Sequence, residues 1–368
     1  MIIRNGTIEF GHGDMHFVEK VGLSEAVEMV LDFKSQNKIP FVYDTYQLAD
    51  LLMIRRKDLF SLSKNADYFY TYATIKKRDG SKRILCVPDA YLKSVQRTIL
   101  STILSKLPVS EYATAYRKGC KLQSNAQPHC GKKYLLKMDI CNFFDNITFM
   151  KVYSSVFNTH HFPKQVGVML TQLCCRNDVL PQGAPTSPAI SNLVMKSFDD
   201  TFGAWCLRHN LSYTRYCDDI TVSGDIPLHN VYLKASEMLH KMGFEVNKRK
   251  THFVKYTDRQ SVTGLTVNEC IRVDSKYKKQ LRQDIYYTLK FDVVSAMKRS
   301  SSFEFDENED IDSAVIKYLN SLIGKTAYVL QIEPDNEYFK KSLKKLTDLL
   351  DETKLDIRRS KYFTFYQK

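Results

Sequence analysis

The spacing of apolar residues predicts helices and strands in alternation along the chain. Apolar positions recur at helical spacing in the segments 23–33, 41–70, 90–107, 148–157, 164–175 and 231–242. A further helix is predicted from Pro185 to His209, opened by a Pro-Gln-Gly-Ala-Pro turn. Two alternating runs flank Asp79-Gly80 in TYATIKKRDGSKRILCVP, and this pattern is typical of a β-hairpin with a tight turn.

Short apolar runs predict the strands of a central sheet. They are Tyr134–Ile140, Leu211–Tyr216 and Ile220–Ser223, and more strands are expected between Phe253 and Val273. After Lys276 the chain is polar with helical periodicity, apart from an acidic loop at 304–312. The pattern therefore predicts an α+β core followed by a helical region.

Composition and charge narrow the class of protein. The 368 residues are 43% apolar and 12% aromatic, which suits a folded enzyme and argues against extensive disorder. The net charge of +13, from 54 basic and 41 acidic residues, favours a polyanionic partner. Nine cysteines without a Cys-x-x-Cys pair suggest neither a disulfide framework nor a zinc site. Since the N-terminus lacks the apolar core of a signal peptide and no apolar run reaches membrane-span length, a cytoplasmic location and no membrane partner are expected.

Carboxylates at two strand ends are the candidate catalytic groups. Phosphoryl transfer commonly uses two divalent cations about 4 Å apart, and Mg²⁺ prefers carboxylate oxygens. Asp139 ends the strand YLLKMD, and Asp218-Asp219 lies between two apolar strands that would form a hairpin. Because neighbouring residues of an extended chain face opposite ways, Asp218 is predicted to be the firmer metal ligand and Asp219 a partial partner.

A second Asp-Asp pair, Asp199-Asp200, serves as an internal comparison. It lies in a helical segment between Phe198 and Phe202, with no strand beside it. It is interpreted as part of a solvated helix face.

Three blocks resemble those of reverse transcriptases. Tyr216-Cys217-Asp218-Asp219 resembles their Tyr-x-Asp-Asp box, KMDICNFFDNI their first catalytic-aspartate block, and LPQGAPTSPAISNLV their Pro-Gln-Gly block. The order and spacing agree with the family over roughly residues 70–275. The resemblance implies a right-hand polymerase of α+β class, with four regions along the chain: an N-terminal extension at 1–40, fingers and the start of the palm at 41–133, a palm at 134–274 with inserted fingers helices near 148–180, and a helical thumb at 275–368.

The resemblance also implies the roles of individual residues. Two Mg²⁺ ions would be held by Asp139, the backbone carbonyl of Ile140, Asp218 and Asp219. The incoming deoxynucleoside triphosphate would be contacted by Lys77, Arg83, Phe144, Gln182 and Gly183. Within this set Lys77 and Arg83 would bind the triphosphate. The Phe144 ring would exclude a 2′-hydroxyl, whereas its neighbour Phe143 is expected in the core.

Two short patterns point to the retron subfamily. Asn125-Ala126-Gln127-Pro128-His129 matches the Asn-Ala-x-x-His pattern of retron reverse transcriptases, and Val262-Thr263-Gly264 matches their Val-Thr-Gly triplet. The resemblance implies that these residues recognise the enzyme's own structured RNA. The alternative is that His129 packs locally and Thr263-Gly264 is a strand bulge.

The retron resemblance implies a set of partners. A structured non-coding RNA would be both template and primer, priming through the 2′-hydroxyl of an internal guanosine, and the product would be RNA-linked single-stranded DNA. Such systems act in anti-phage defence with a separate effector protein. Basic residues suited to contacts with an A-form hybrid recur in the C-terminal region, at Lys276, Lys278, Lys279, Arg282, Lys340, Lys341, Lys344 and Lys345.

Other functions stay open at this point. A group II intron enzyme shares the catalytic blocks, and an abortive-infection polymerase would extend DNA without a template. A catalytically inactive RNA-binding protein on the same scaffold is a third alternative. The intact Asp139, Asp218 and Asp219 argue against that last alternative.

Overall fold

The computed structural model describes residues 2–4, 7–9, 18–19, 22–36, 38–76, 80, 82–305 and 309–366. The predicted triphosphate ligand Lys77 lies outside the described residues, as does part of the predicted acidic loop at 304–312. The chain divides into two units. The first comprises residues 1–121 and 133–253, and the second comprises residues 122–132 and 254–368.

The described strands are antiparallel and form four small sheets. They are β1 (Ile2–Arg4), β2 (Thr7–Glu9), β3 (Tyr70–Lys76), β4 (Lys82–Pro88), β5 (Tyr134–Asp139), β6 (Ser212–Tyr216), β7 (Asp219–Gly224), β8 (His252–Lys255), β9 (Ser261–Val262), β10 (Leu265–Thr266) and β11 (Arg272–Val273). Strands β1 and β2 pair, and so do β3 and β4. The third sheet has the order β6-β7-β5-β8 and the fourth β11-β10-β9. The boundary between the two units falls within β8.

The described helices precede, connect and follow these strands along the chain. They are α1 (Leu23–Gln36), α2 (Thr45–Leu51), α3 (Arg56–Lys64), α4 (Ala90–Thr102), α5 (Leu122–Ala126), α6 (Phe149–Ser155), α7 (Lys164–Cys174), α8 (Ser187–Val194), α9 (Lys196–Arg208), α10 (His229–Lys241), α11 (Ser275–Lys290), α12 (Val293–Arg299), α13 (Ile311–Ile332) and α14 (Glu337–Tyr366). Several begin where the sequence offers a cap. The carboxylates of Asp44 and Asp89 accept hydrogen bonds from backbone N–H groups in the first turns of α2 and α4.

The prediction of one helix from Pro185 to His209 is wrong. The helical conformation starts at Ser187 and is interrupted at Met195, whose ψ of −4° ends α8 before α9 begins. The hydroxyl of Ser191 donates to the carbonyl of Pro188 within α8. Because apolar residues continue across the interruption at helical spacing, the sequence does not reveal it.

The core of the first unit lies between the four-stranded sheet and its helices. The inner strands β5 and β7 are buried along most of their length, which explains why their sequences are nearly continuous in apolar residues. Aromatic residues fill the space beneath them, and the fully buried ones are Phe157, Phe162, Phe198, Phe202 and Phe244. Among the described residues, no helix combines the length and the apolar character needed to cross a membrane.

Candidate active site

The register of two strands brings the predicted catalytic carboxylates to one end of the sheet. Strand β5 ends at Asp139 and strand β7 begins at Asp219, and these two residues are direct partners in the antiparallel pairing. Residues directly opposite in such a pair have Cβ atoms about 5 Å apart, on the same face of the sheet. Asp139 and Asp219 therefore form the base of a carboxylate cluster.

A tight turn carries the third carboxylate. Tyr216 pairs with Asp219, which leaves Cys217 and Asp218 as a two-residue hairpin loop. Cys217 has a φ of 60°, a conformation that a residue with a Cβ adopts at a cost. The N–H of Ile140 donates to the carbonyl of Asp218 at 3.1 Å, so the turn is fastened to the end of β5.

Burial and the proximity of the three carboxylates dominate the electrostatics of this cluster. Asp219 lies at an exposed strand end, yet local desolvation, followed by the charges of Asp218 and Asp139, raises the pKa of its carboxyl to about 6. In the described part of the chain, no group of three or more His, Cys, Asp or Glu side chains is placed so that it could hold a metal ion. Cationic balance comes instead from Lys250, whose Nζ lies 2.8 Å from Oδ2 of Asp139.

Lys250 and Asn247 complete the surroundings of Asp139, and neither was singled out from the sequence. The backbone N–H of Asn247 donates to the carbonyl of Asp139 at 2.8 Å, and its side-chain Nδ2 lies 3.4 Å from Oδ1. The hydrogen bond to Asp139 is the main cause that raises the pKa of Lys250. These contacts join residues more than a hundred positions apart in the sequence, so no local sequence pattern predicts them.

The interpretation of Asp199-Asp200 as a solvated face is wrong for Asp199. Its side chain is 0% exposed and forms a two-pronged ion pair with Arg215, which is equally buried. Asp200 does lie at the surface, where it pairs with Lys196. The signal in the sequence was Arg215 itself, a charged residue inside the apolar strand LSYTRY, because a buried charge requires a partner.

The Pro-Gln-Gly block packs directly on the β3–β4 hairpin. The N–H of Cys86 in β4 donates to the carbonyl of Gln182 at 2.7 Å. Gly183 has a φ of 126°, and a Cβ at that position would lie 2.5 Å from the carbonyl oxygen of Cys86. Glycine is therefore required both for its conformation and for the close approach of two backbones.

Phe144 and Arg83 are the other candidate nucleotide contacts in the described part of the chain. Phe144 is half-buried at the edge of the core, and its ring meets the fully packed ring of Phe143 edge-on at 5.4 Å. Arg83 is exposed on β4, opposite Ile75 of β3. Their contacts with a nucleotide stay a prediction.

The two retron patterns meet in the second unit. Asn125 and His129 are both buried, and Nδ2 of Asn125 lies 3.4 Å from the hydroxyl of Thr263. Burial is the main cause that lowers the pKa of His129 to about 3, so the imidazole is neutral. Thr263 and Gly264 both have positive φ and form the two-residue loop between β9 and β10, which is a hairpin turn rather than a bulge. The buried side chain of Asn125 can therefore support this turn.

A hairpin bearing two aspartates, set against a third aspartate at the end of an inner strand, is the arrangement expected of a polymerase that transfers nucleotides by two-metal chemistry. The model of the reverse transcriptase (RNA-dependent DNA polymerase) family matches residues 75–283. The chain belongs to the reverse transcriptase family. The predicted right-hand polymerase fold of α+β class and the predicted enzyme class, an RNA-directed DNA polymerase, are thereby confirmed.

Two of the similar proteins are retron enzymes. The retron Ec86 reverse transcriptase of Escherichia coli is 28% identical over 311 residues, covering 82% of this chain and 96% of that protein. The retron Mx65 reverse transcriptase of Myxococcus xanthus is 30% identical over 263 residues, and the match spans 66% of this chain and 61% of that protein. The resemblance to retron-type reverse transcriptases is confirmed by these relatives.

Among solved structures, a telomerase from Candida albicans in complex with a fragment of telomeric RNA matches with a TM-score of 0.42 and 12% sequence identity. The match covers 77% of this chain and 66% of that one.

Proposed function

We propose that this chain synthesises DNA on an RNA template from deoxynucleoside triphosphates, with two Mg²⁺ ions at Asp139, Asp218 and Asp219. The observation that carries the proposal is the direct pairing of Asp139 with Asp219 beneath the turn that holds Asp218. Enzymes of this family generally use divalent metals. The residues here fit such ions, because the donor set consists of hard carboxylate oxygens and a lysine ammonium already stands against Asp139.

When bound, the metal ions would activate the 3′-terminal hydroxyl of the primer and neutralise the triphosphate. The residues of the chain have separate tasks. Asp139 and Asp218 are the primary ligands of the proposal, with Asp219 behind them, and the backbone carbonyl of Ile140 adds an oxygen. Lys250 compensates the charge of the Asp139 carboxylate through its ion pair with Oδ2, an oxygen that would be a candidate metal donor.

The nucleotide would be held by the fingers hairpin and the Pro-Gln-Gly block together. The contact of Gln182 and Gly183 with Cys86 supports this, since it joins the two segments at one place. Lys77 and Arg83 on the hairpin would bind the triphosphate, and the half-buried ring of Phe144 would oppose a 2′-hydroxyl. Phe144→Ala should therefore admit ribonucleotides, whereas the buried neighbour makes Phe143→Leu a matched control that should retain deoxynucleotide selection.

Incorporation of dTTP on poly(rA)/oligo(dT) tests the reaction. Wild-type protein should extend the primer with Mg²⁺, and Asp218→Asn should reduce the rate by a hundredfold or more, on the order of the losses when a group acting only in the transition state is removed. Asp200→Asn is the control, because that carboxylate is a surface group paired with Lys196. No incorporation by the wild-type protein with any divalent ion would refute the proposal.

The retron relatives support a more specific function. We propose that a cognate structured RNA serves as template and primer and that the product is RNA-linked single-stranded DNA, made in the cytoplasm as part of an anti-phage system with a separate effector. Sequencing of the nucleic acid that co-purifies from an expressing host tests this. A branched RNA–DNA species would support the retron function, and recovery of unbranched RNA alone would contradict it.

Recognition of that RNA would depend on the Thr263-Gly264 turn, with Asn125 and His129 supporting it from beneath. The contact between Asn125 and Thr263 supports this division of labour. Asn125→Ala and His129→Ala should impair synthesis on the cognate RNA more than on poly(rA)/oligo(dT). Thr263→Val, which loses the hydroxyl but keeps the shape, should behave like Asn125→Ala, whereas Thr263→Ser should not. Equal losses on both templates would contradict a role in RNA recognition.

A further inference from the structure

Arg215 is the largest fully buried side chain in the described part of the chain. It lies in β6, one residue before the Tyr216–Asp219 turn. Its guanidinium donates through Nε and Nη2 to the two carboxylate oxygens of Asp199 at 2.8 and 2.6 Å. A guanidinium in that position is costly to desolvate, and the planar fork of the pair compensates it.

The third nitrogen of Arg215 reaches the catalytic turn. Nη1 donates to the carbonyl of Cys217 at 2.8 Å. That carbonyl belongs to the peptide group that joins Cys217 to Asp218, so the bond fixes the plane of the peptide that carries Asp218. Cys217 has the unfavourable φ of 60°, which persists only where surrounding contacts hold it.

The network around Arg215 is anchored at several points of the backbone. Nη2 also lies 3.2 Å from Oδ1 of Asn192, and the amide of Asn192 in turn donates to the carbonyl of Ala115 at 2.8 Å. The backbone of Arg215 forms two hydrogen bonds with the 112–115 segment: its N–H donates to the carbonyl of Tyr112, and its carbonyl accepts from the N–H of Thr114. Helix α8, helix α9 and the 112–115 segment thus hold one guanidinium in a single orientation.

We propose that Arg215 is a positioning residue of the polymerase reaction. Held by Asp199 and Asn192, it sets the Cys217–Asp218 peptide so that the Asp218 carboxylate meets Asp139 and Asp219 in a geometry that binds metal. The role of Arg215 in catalysis rests on the proposed function, whereas its effect on metal affinity can be measured on the free protein. Partners that orient a metal ligand typically contribute ten- to hundredfold to metal affinity.

Arg215→Lys tests this with the least disturbance. Lysine retains the positive charge beside Asp199, but a single ammonium cannot serve the carboxylate, Asn192 and the Cys217 carbonyl in the same planar geometry. Tyr213→Phe is the matched control. The Tyr213 hydroxyl donates to the same Asp199 carboxylate at 2.7 Å, so its loss weakens the network without removing the bond to the turn.

Two quantities are measured on the full chain: Mn²⁺ binding without nucleotide, from the electron paramagnetic resonance signal of free Mn²⁺, and the Mg²⁺ concentration for half-maximal dTTP incorporation. Arg215→Lys should weaken Mn²⁺ binding by roughly tenfold and raise the Mg²⁺ requirement by a similar factor. Tyr213→Phe should leave Mn²⁺ binding and the Mg²⁺ requirement near their wild-type values, even if it lowers the melting temperature as much as Arg215→Lys does. Unchanged metal dependence in a folded Arg215→Lys protein would overturn the proposal.

A second variant covers the case in which Arg215→Lys does not fold. Asp199→Leu combined with Arg215→Met replaces the buried ion pair by apolar groups, a change that folded proteins often accept. It should also weaken Mn²⁺ binding by roughly tenfold, and wild-type binding by this variant would overturn the proposal. If the wild-type protein binds Mn²⁺ but incorporates no nucleotide, the polymerase function fails, and the Mn²⁺ titrations alone decide the role of Arg215.

Discussion

Asp199 and Asp200 are adjacent acids for which the structure predicts opposite consequences of the same substitution. Asp199→Asn removes the charge that faces the fully buried guanidinium of Arg215, and it breaks a two-pronged pair at 2.6 and 2.8 Å. Removing one partner of a buried ion pair costs about 3–5 kcal/mol of unfolding free energy, because the other charge remains buried without compensation. Asp200→Asn breaks a solvent-exposed pair with Lys196, and such pairs contribute roughly 0–1 kcal/mol.

Urea unfolding followed by the fluorescence of Trp205 measures the difference. Trp205 is the only tryptophan in the chain, and its indole ring stacks on Phe202 in α9, the helix that carries both acids. The Asp199→Asn transition should move to clearly lower urea, while the Asp200→Asn transition should nearly coincide with that of the wild type. Equal shifts for the two variants would refute the assignment of Asp199 to a buried network.

Four further predictions follow from individual groups and from the net charge. Gly183→Ala places a methyl group against the Cys86 carbonyl at a positive φ, so it should cost about 1–3 kcal/mol and raise the KM for dTTP, measured by urea unfolding and primer extension. Because the pKa of Asp219 is raised to about 6 in the folded protein, ionisation of this carboxyl destabilises the folded state increasingly between about pH 4 and pH 6. Asp219→Asn should therefore raise the melting temperature at pH 7.5 without divalent ions. At pH 4 the same substitution should leave the melting temperature unchanged. The pKa of His129 is about 3 in the folded protein, so below about pH 6.5 the unfolded chain takes up a proton at this residue that the folded chain does not. The free energy of unfolding should therefore fall by up to about 1.4 kcal/mol per pH unit as the pH drops toward 4.5. His129→Gln should reduce this dependence on pH. Binding of a labelled poly(rA)/oligo(dT) duplex should weaken steeply between low and moderate salt, because lysines and arginines displace counterions from phosphates. A nearly flat dependence on salt would contradict binding of the phosphate backbone by the basic side chains of the protein.

The parts of the site that depend on local sequence could be predicted. Asp139 ends an apolar strand and Asp218 lies in a two-residue loop between two others, and both properties follow from short patterns of apolar and polar residues. The register that pairs Asp139 with Asp219 is restricted by the burial of the apolar residues, but a slip of two residues would keep the same faces buried, so the pairing itself comes from the structure.

The supports of the site could not be predicted in the same way. Lys250 reaches Asp139 across 111 positions of sequence, and Asp199 reaches Arg215 from a different element. The helical pattern predicted that Asp199 follows Phe198 on a helix, but it did not show that the Asp199 side chain is buried together with Phe198. Asn125 belongs to a pattern that is visible in the sequence, but only the fold shows that its side chain is buried against the Thr263 turn.

RNA-templated synthesis is tested most directly by the sequence of the DNA made on a defined RNA of mixed composition. The wild-type protein, given that RNA with an annealed primer, four deoxynucleoside triphosphates and Mg²⁺, should produce DNA complementary to the template, and Asp139→Asn protein should produce none. DNA unrelated to the template, or equal synthesis by the Asp139→Asn protein, would contradict RNA-templated polymerisation at the Asp139, Asp218 and Asp219 centre.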